Sequence, residues 1–138
     1  MLVCTLFSCA VVHAQETMQA KKYEHPEWKR VLLIKFKPDK ASRGMEIISD
    51  YYLKACTKSG TPAPSTLFNV ITGDWDLIAA WDMKEGIEEM NWETSPDDIA
   101  WLKALNEIAG GETKAKAILD EFSSLIDRQI TYIGRGVK

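Results

Sequence analysis

Residues Leu67 to Met83 read LFNVITGDWDLIAAWDM, two runs of apolar and β-forming side chains on either side of one turn, Thr72-Gly73-Asp74-Trp75-Asp76. Gly73 can take a positive φ without steric cost, so the turn can be tight and the two runs can pair as an antiparallel hairpin. Alternation along the second run sends Leu77, Ala79 and Trp81 to one face and Ile78 and Ala80 to the other. A strand that is apolar on both faces must be covered on both, which limits the chain to architectures in which a sheet is sandwiched.

The flanking sequence supplies the covering elements. A first strand is expected from Trp28 to Lys37, ended by Pro38-Asp39, with Asp39 or Ser42 available to cap the next helix. That helix runs from about Ala41 to Lys58 on the stripe Met45, Ile48, Tyr52 and Cys56, and Gly60 and Pro62 stop it. The two middle strands are expected at Thr66 to Thr72 and Asp76 to Met83. Lys84 to Thr94 is acidic and irregular, with room for one short helical turn. Ser95-Pro96-Asp97-Asp98 is a strong helix start: a capping hydroxyl, a proline at the first helical position, and two carboxylates at the positive end of the dipole. Ile99, Leu102, Leu105 and Ala109 are expected to form the packed face of that helix, and Gly110-Gly111 ends it. A further helix follows from about Thr113 to Ile126, then a last strand from Arg128 to Gly134. Strand–helix–strand–strand–helix–strand is the order of an α+β, ferredoxin-like βαββαβ fold, a four-stranded antiparallel sheet with helices on one face.

Such a sheet leaves its second face open. Val31 to Ile34 and Leu77 to Trp81 are apolar on both alternating sets, so the face away from the helices needs a cover. The simplest cover is a second copy of the chain, sheet against sheet, as a two-fold homodimer of the dimeric α/β-barrel kind. The alternative is that Trp28 and the N-terminal arm fold over it.

Val31-Leu32-Leu33-Ile34-Lys35-Phe36-Lys37-Pro38 ahead of an amphipathic helix is similar to the opening of the ligand-binding domain of Lrp/AsnC-type regulators. Thr72-Gly73-Asp74-Trp75-Asp76-Leu77 resembles that family's turn between the middle strands, and Ile130-Thr131-Tyr132-Ile133 resembles its final strand. The resemblance implies a homodimeric or larger assembly that binds a small molecule, often an amino acid, near the subunit interface, with Gly73, Asp74 and Asp76 at the matching positions. This chain departs from that family in having no helix-turn-helix segment, a longer linker before the second strand, and an apparent insertion over Glu85 to Gly111, so DNA regulation does not carry over. Fold does not transmit function.

At 138 residues with 46% hydrophobic and 27% charged side chains, the chain has enough apolar material for one core without disulfides. A net charge of -3 withholds the electrostatic drive for broad nucleic-acid binding. No run of about 18 or more apolar residues provides a transmembrane segment. Met1 to Ala14 (MLVCTLFSCAVVHA) has no charged side chain and an apolar run from Leu2 to Val12, and Val12-His13-Ala14 suits signal peptidase. The expectation is an export signal over 1–14, cleaved to leave Gln15, a flexible arm over 15–27, and the folded domain over 28–138. The mature product would be periplasmic or secreted. Leu6-Phe7-Ser8 before Cys9 leaves lipoprotein anchoring as a minor variant. Only Cys56 would remain after cleavage, read as a small buried hydrophobe.

Five tryptophans are many for this length. Their ordinary use is packing, but aromatic side chains with a few polar groups also line pockets. Trp81, beside Asp82, could line a cavity between sheet and helices, and Trp92 in the acidic loop could cover it. Asp74 and Asp76 flank Trp75 and are candidates to contact a ligand, although turn carboxylates more often bond to nearby backbone. His25 alone cannot assemble a metal site, and no phosphate loop or nucleophile–histidine pair is evident, so neither metal nor cofactor is expected. The acidic stretch from Glu85 to Asp98 reads as a solvated face. Three functional readings follow. The first is a non-catalytic homodimeric module holding a small, partly apolar ligand through Gly73, Asp74, Asp76, Trp81, Asp82, Trp92 and Tyr132. The second is a cofactor-independent monooxygenase or isomerase using Trp81, Asp82 and Tyr132. The third is a structural or interaction domain.

Overall fold

The computed structural model describes residues 18–136, so the expected signal over 1–14, with Cys4 and Cys9, lies outside the described residues. Residues 18–27 are exposed and belong to no helix or strand. The elements then run β1 (Trp28–Phe36), α1 (Ala41–Ile47), a π-helical turn (Ile48–Tyr52), α2 (Leu53–Ser59), β2 (Thr66–Asn69), β3 (Leu77–Met83), a 3-10 turn (Gly86–Asn91), α3 (Pro96–Ala109), α4 (Glu112–Leu125) and β4 (Ile126–Arg135). The strands pair antiparallel in the order β2-β3-β1-β4, with the helices packed on one face. This is the α+β ferredoxin-like fold expected from the element order.

The register assigns each side chain to a face. Ile34 lies opposite Leu77, Leu32 opposite Ala79, Arg30 opposite Trp81 and Trp28 opposite Met83 on the helix-facing side. There Ile34, Phe36 and Leu77 are buried against Ile47, Ile48 and Leu125. A second cluster joins α2, α3 and α4 through Ala55, Ala104, Leu105 and Ala115. On the other face Val31 meets Ala80 and Tyr132, and Leu33 meets Ile78 and Ile130, with Phe68 beside Ile78. Phe68, Ile130 and Tyr132 are exposed there. Trp28 lies on the helix-facing side, its ring against Gly86, so it does not cover the open face.

Local differences from expectation have identifiable causes. The first helix is continuous over 41–59 but carries a π turn, in which the Leu53 N–H reaches back to Ile48 O. The extra residue per turn rotates the buried face, so Ile47 and Ala55 are fully buried beside Ile48, while Cys56 is half-buried. Neither Asp39 nor Ser42 caps this helix; Lys40 occupies the cap position without a side-chain bond, and Asp39 is itself left-handed with φ 61. Gly44 lets the Phe36 ring lie on the helix backbone, and Gly60 closes the helix in the left-handed conformation, its N–H on Cys56 O.

The packed face of α3 is a correction. Ile99 and Leu102, expected inside, are exposed, whereas Ala104 and Leu105 are buried and Trp101 and Ile108 half-buried. This helix is apolar on more than one side, and its contacts with α2 and α4 select the stripe that packs. The second strand is also shorter than expected: pairing ends at Asn69 opposite Leu77, and 70–76 forms a loop closed by Val70 N–H on Asp76 O at 2.8 Å.

Candidate functional site

β1 and β3 present their helix-facing side chains to a helix layer that does not close down completely. The result is a cleft of about 710 Å³ between sheet and helices. Leu32, Ile34, Leu77 and Ala79 form its floor, and Ile48, Tyr52 and Cys56 form one wall. Trp81 closes the end of the β3 row, Trp101 reaches in from α3, and Met90 and Trp92 stand at the mouth beside Glu85, Glu89 and Glu93. The volume suits a small organic molecule, and an apolar floor with polar groups at its edge is the usual make-up of a ligand site.

The aromatic wall is ordered by its own contacts. Tyr52 meets Trp101 edge to face with ring centroids 5.2 Å apart, and meets Phe122 at 5.0 Å. Phe122 in turn meets Phe36 at 6.0 Å. The Trp101 indole N–H donates to Tyr52 O at 3.2 Å, tying α3 to the π turn. Burial pushes the Tyr52 hydroxyl up to about 12, so it stays neutral and able to donate at ordinary pH.

Three charged groups complete the cleft's edge. The Arg30 guanidinium lies over the Trp81 ring, 5.0 Å from its centroid. Asp98 accepts the Ser95 N–H at 2.9 Å and the Ser95 hydroxyl at 2.7 Å at the start of α3. Those bonds hold its carboxyl below the ordinary range against a desolvation that acts the other way, and Arg30 adds a smaller pull. Lys84 follows the end of β3.

The residues singled out from sequence are not brought together. Trp81 and Trp92 line the cleft, as a cavity between sheet and helices requires. Asp82 touches its rim, but alternation sends its carboxylate to the open face, where it pairs with Lys29. The Lys29 hydrogen bond holds Asp82 low and Asp82 holds Lys29 high. Tyr132 lies opposite Val31 on the open face, across the sheet from the cleft. Trp81, Asp82 and Tyr132 therefore do not converge on one space.

Gly73, Asp74 and Asp76 sit at the other end of β3 from Trp81. Gly73 has φ 102, the backbone geometry the turn requires. Arg128 stacks on Trp75 at 4.8 Å and donates to Asp74 O at 3.4 Å. Asp76 accepts Lys35 Nζ and the Phe36 N–H, both at 2.8 Å, and its own N–H donates to Ile34 O at 2.9 Å. Desolvation works to raise its pKa, but Lys35 and the Phe36 N–H together hold it below the ordinary value. The carboxylate is spent on joining the turn to β1.

Tyr52, Trp101 and Arg30 line the cleft without having been singled out as site residues. Arg30 left a signal: it shares parity with Leu32 and Ile34, so a charge stands in a row otherwise given to the core. Tyr52 and Trp101 read as packing, because a cleft wall and a core stripe have the same helical spacing.

No protein-family model matches the chain, and no curated relative does. Solved structures do resemble it. A NIPSNAP family protein of unknown function from Agrobacterium tumefaciens has 11% identity and a TM-score of 0.56, covering 84% of this chain and 93% of its own. A second NIPSNAP family protein from Agrobacterium tumefaciens has 14% identity and a TM-score of 0.53, covering 86% and 93%. At these identities the likeness is one of fold, and it spans the ferredoxin-like domain from end to end.

Proposed function

We propose that this chain is a non-catalytic binding module that takes a small, partly apolar molecule into the cleft between its sheet and its helices, and that it works as an exported homodimer. The observation that carries the reading is the cleft itself: about 710 Å³ held open between an aliphatic floor and the aromatic wall of Tyr52, Trp81 and Trp101. A domain with no ligand to hold gains by closing such a space, since filling it with side chains restores the contacts an empty cleft lacks. Dimer formation through Phe68, Ile130 and Tyr132 would cover the open face, and the Lrp/AsnC resemblance agrees with a homodimer. That resemblance would put an amino acid beside Gly73, Asp74 and Asp76. The engagement of Asp76 with Lys35 and Phe36 favours the cleft instead.

The test is native mass spectrometry on protein purified from cells expressing the whole chain. The expected species is a dimer beginning at Gln15 and carrying the mass of a small molecule, which Trp81→Ala and Trp101→Ala variants release. A ligand-free monomer, with tryptophan emission unmoved by a panel of small aromatic compounds, would overturn the reading. Retention of Met1 in the product would overturn export alone.

A further inference from the structure

We infer that the ligand of this cleft is a cation: an apolar, preferably aromatic, body carrying an ammonium or similar group. The inference rests on the cleft being the binding site, and goes beyond it in fixing the charge of what enters. Glu85, Glu89, Glu93, Asp97 and Asp98 are five acidic residues that line the cleft, against two cations, Arg30 and Lys84. Asp82 also touches the rim, but its charge is answered by Lys29 on the other face.

Glu89 accepts the Glu85 N–H at 3.1 Å and Asp98 accepts the Ser95 N–H and hydroxyl, but among the described residues no cation pairs with Glu85, Glu89, Glu93 or Asp97. The ion pairs of the described residues include Lys29–Asp82, Lys35–Asp76, Arg43 with Glu46 and Glu121, Lys54–Asp50, Lys58–Glu107 and Lys116–Asp120. None involves Glu85, Glu89, Glu93 or Asp97. The Arg30 charge is already placed over Trp81, 5.0 Å from the ring centroid. An anion entering the cleft would therefore pass an excess of mostly exposed carboxylates at its mouth, a repulsion that salt screens. A cation would be drawn in by the same field.

The apolar lining is of the kind that receives such a group. Trp92 and Trp101 add indole rings to the lining beside Trp81, whose ring already carries Arg30, and the negative face of an aromatic ring attracts a cation, most strongly when that ring is tryptophan. The Arg30–Trp81 contact is an instance of that chemistry at the cleft's edge. Trp92 is 54% exposed at the mouth, so it has free surface to close on a ligand. The floor of Leu32, Ile34, Leu77 and Ala79 supplies apolar contact for the body of the molecule.

The experiment is isothermal titration calorimetry of the whole mature chain with three probes of one shape: 1-naphthylmethylammonium, 1-naphthylmethanol and 1-naphthoate. The expected order is ammonium, then alcohol, then carboxylate, with the ammonium roughly tenfold tighter than the alcohol at low salt. That preference should shrink in high salt and in the surface double variant Glu89→Gln/Glu93→Gln, and Trp92→Ala should weaken the ammonium. If the alcohol binds as tightly as the ammonium, or the carboxylate binds best through Arg30, the charge inference is overturned while the cleft remains a binding site. If none of the three binds, or if Trp81→Ala leaves all three unchanged, the cleft reading and the inference built on it both fall.

Discussion

The Asp76 carboxylate accepts the main-chain N–H of Phe36 at 2.8 Å, where the pairing of β1 with β4 slips between Lys35 and Phe36. The Phe36 N–H points to the β3 side, beyond the last β1–β3 partners, Ile34 and Leu77, and Asp76 supplies its acceptor there while also holding Lys35 Nζ. Asp76→Ala should cost about 2 kcal/mol at neutral pH, as expected for charged hydrogen bonds that are only partly buried. The Asp76 pKa lies below its ordinary 3.8 in the folded protein. Its contribution is therefore complete above that ordinary value and is lost as pH falls through the folded one. Urea unfolding should show the full gap between wild type and variant at pH 7, closing as pH falls below the ordinary carboxylate value of 3.8. A gap that persists unchanged at the acid end would show that the carboxylate charge is not what joins the turn to β1.

Gly44 and Phe36 make the closest approach between α1 and the sheet. A Cβ on Gly44 would overlap the Phe36 ring, which is 2% exposed and has nowhere to move without disturbing Phe122. Gly44→Ala should destabilise the domain by about 1–3 kcal/mol through overpacking, although alanine is the better helix former. Thermal unfolding followed by circular dichroism reads this directly. A stabilised Gly44→Ala protein would mean that helix and ring separate at no cost.

The fold was legible because its strongest signals are local. The two-faced β3 row, the turn glycine and the Ser95 helix start each act within a few residues, and all three appear as expected. The site was legible in part, because it depends on side-chain direction across distant elements. Tyr132 went to the open face because β4 carries Ile130 and Tyr132 on one parity and Thr131 and Ile133 on the other, so alternation alone favours neither side. The acidic stretch is largely exposed, as a solvated face should be, but nothing in its composition shows that it also borders an aromatic cleft. The π turn, which adjusts how Tyr52 and Cys56 meet that cleft, has no residue signature in this segment.

The open sheet face predicts an assembly. Phe68 on β2 and Ile130 and Tyr132 on β4 are 59%, 37% and 54% exposed on the two edge strands of the open face, with half-buried Val31, Leu33 and Ile78 on the strands between them. Contiguous apolar surface of this kind on a sheet marks an interaction site, and an isologous dimer covers both copies at once. Sedimentation velocity should give a dimer for the wild-type chain and a folded monomer for Phe68→Glu/Tyr132→Glu. A wild-type monomer at micromolar concentration, or a dimer indifferent to both glutamates, would remove this face from the interface.

Ser95 and Asp98 form a reciprocal cap at the start of α3, with the Ser95 hydroxyl accepting the Asp98 N–H at 3.1 Å and the Asp98 carboxylate accepting the Ser95 N–H at 2.9 Å. Both residues border the cleft, so the cap also sets where the first turn of α3 stands at its mouth. Ser95→Ala removes the acceptor for a donor that the helix cannot satisfy internally, and should cost about 1 kcal/mol, lowering the midpoint of thermal unfolding by about 4 °C. Ser95→Asp restores a capping acceptor at the same position and should recover most of the loss, less a repulsive contribution from the neighbouring Asp97 and Asp98 carboxylates. In 1 M salt that repulsion is screened, so the aspartate variant should move closer to wild type while the alanine variant stays where it was. If Ser95→Asp melts no higher than Ser95→Ala under either condition, the hydroxyl is not acting as the cap, and the ordering of α3 must come from its packing through Trp101, Ala104 and Leu105.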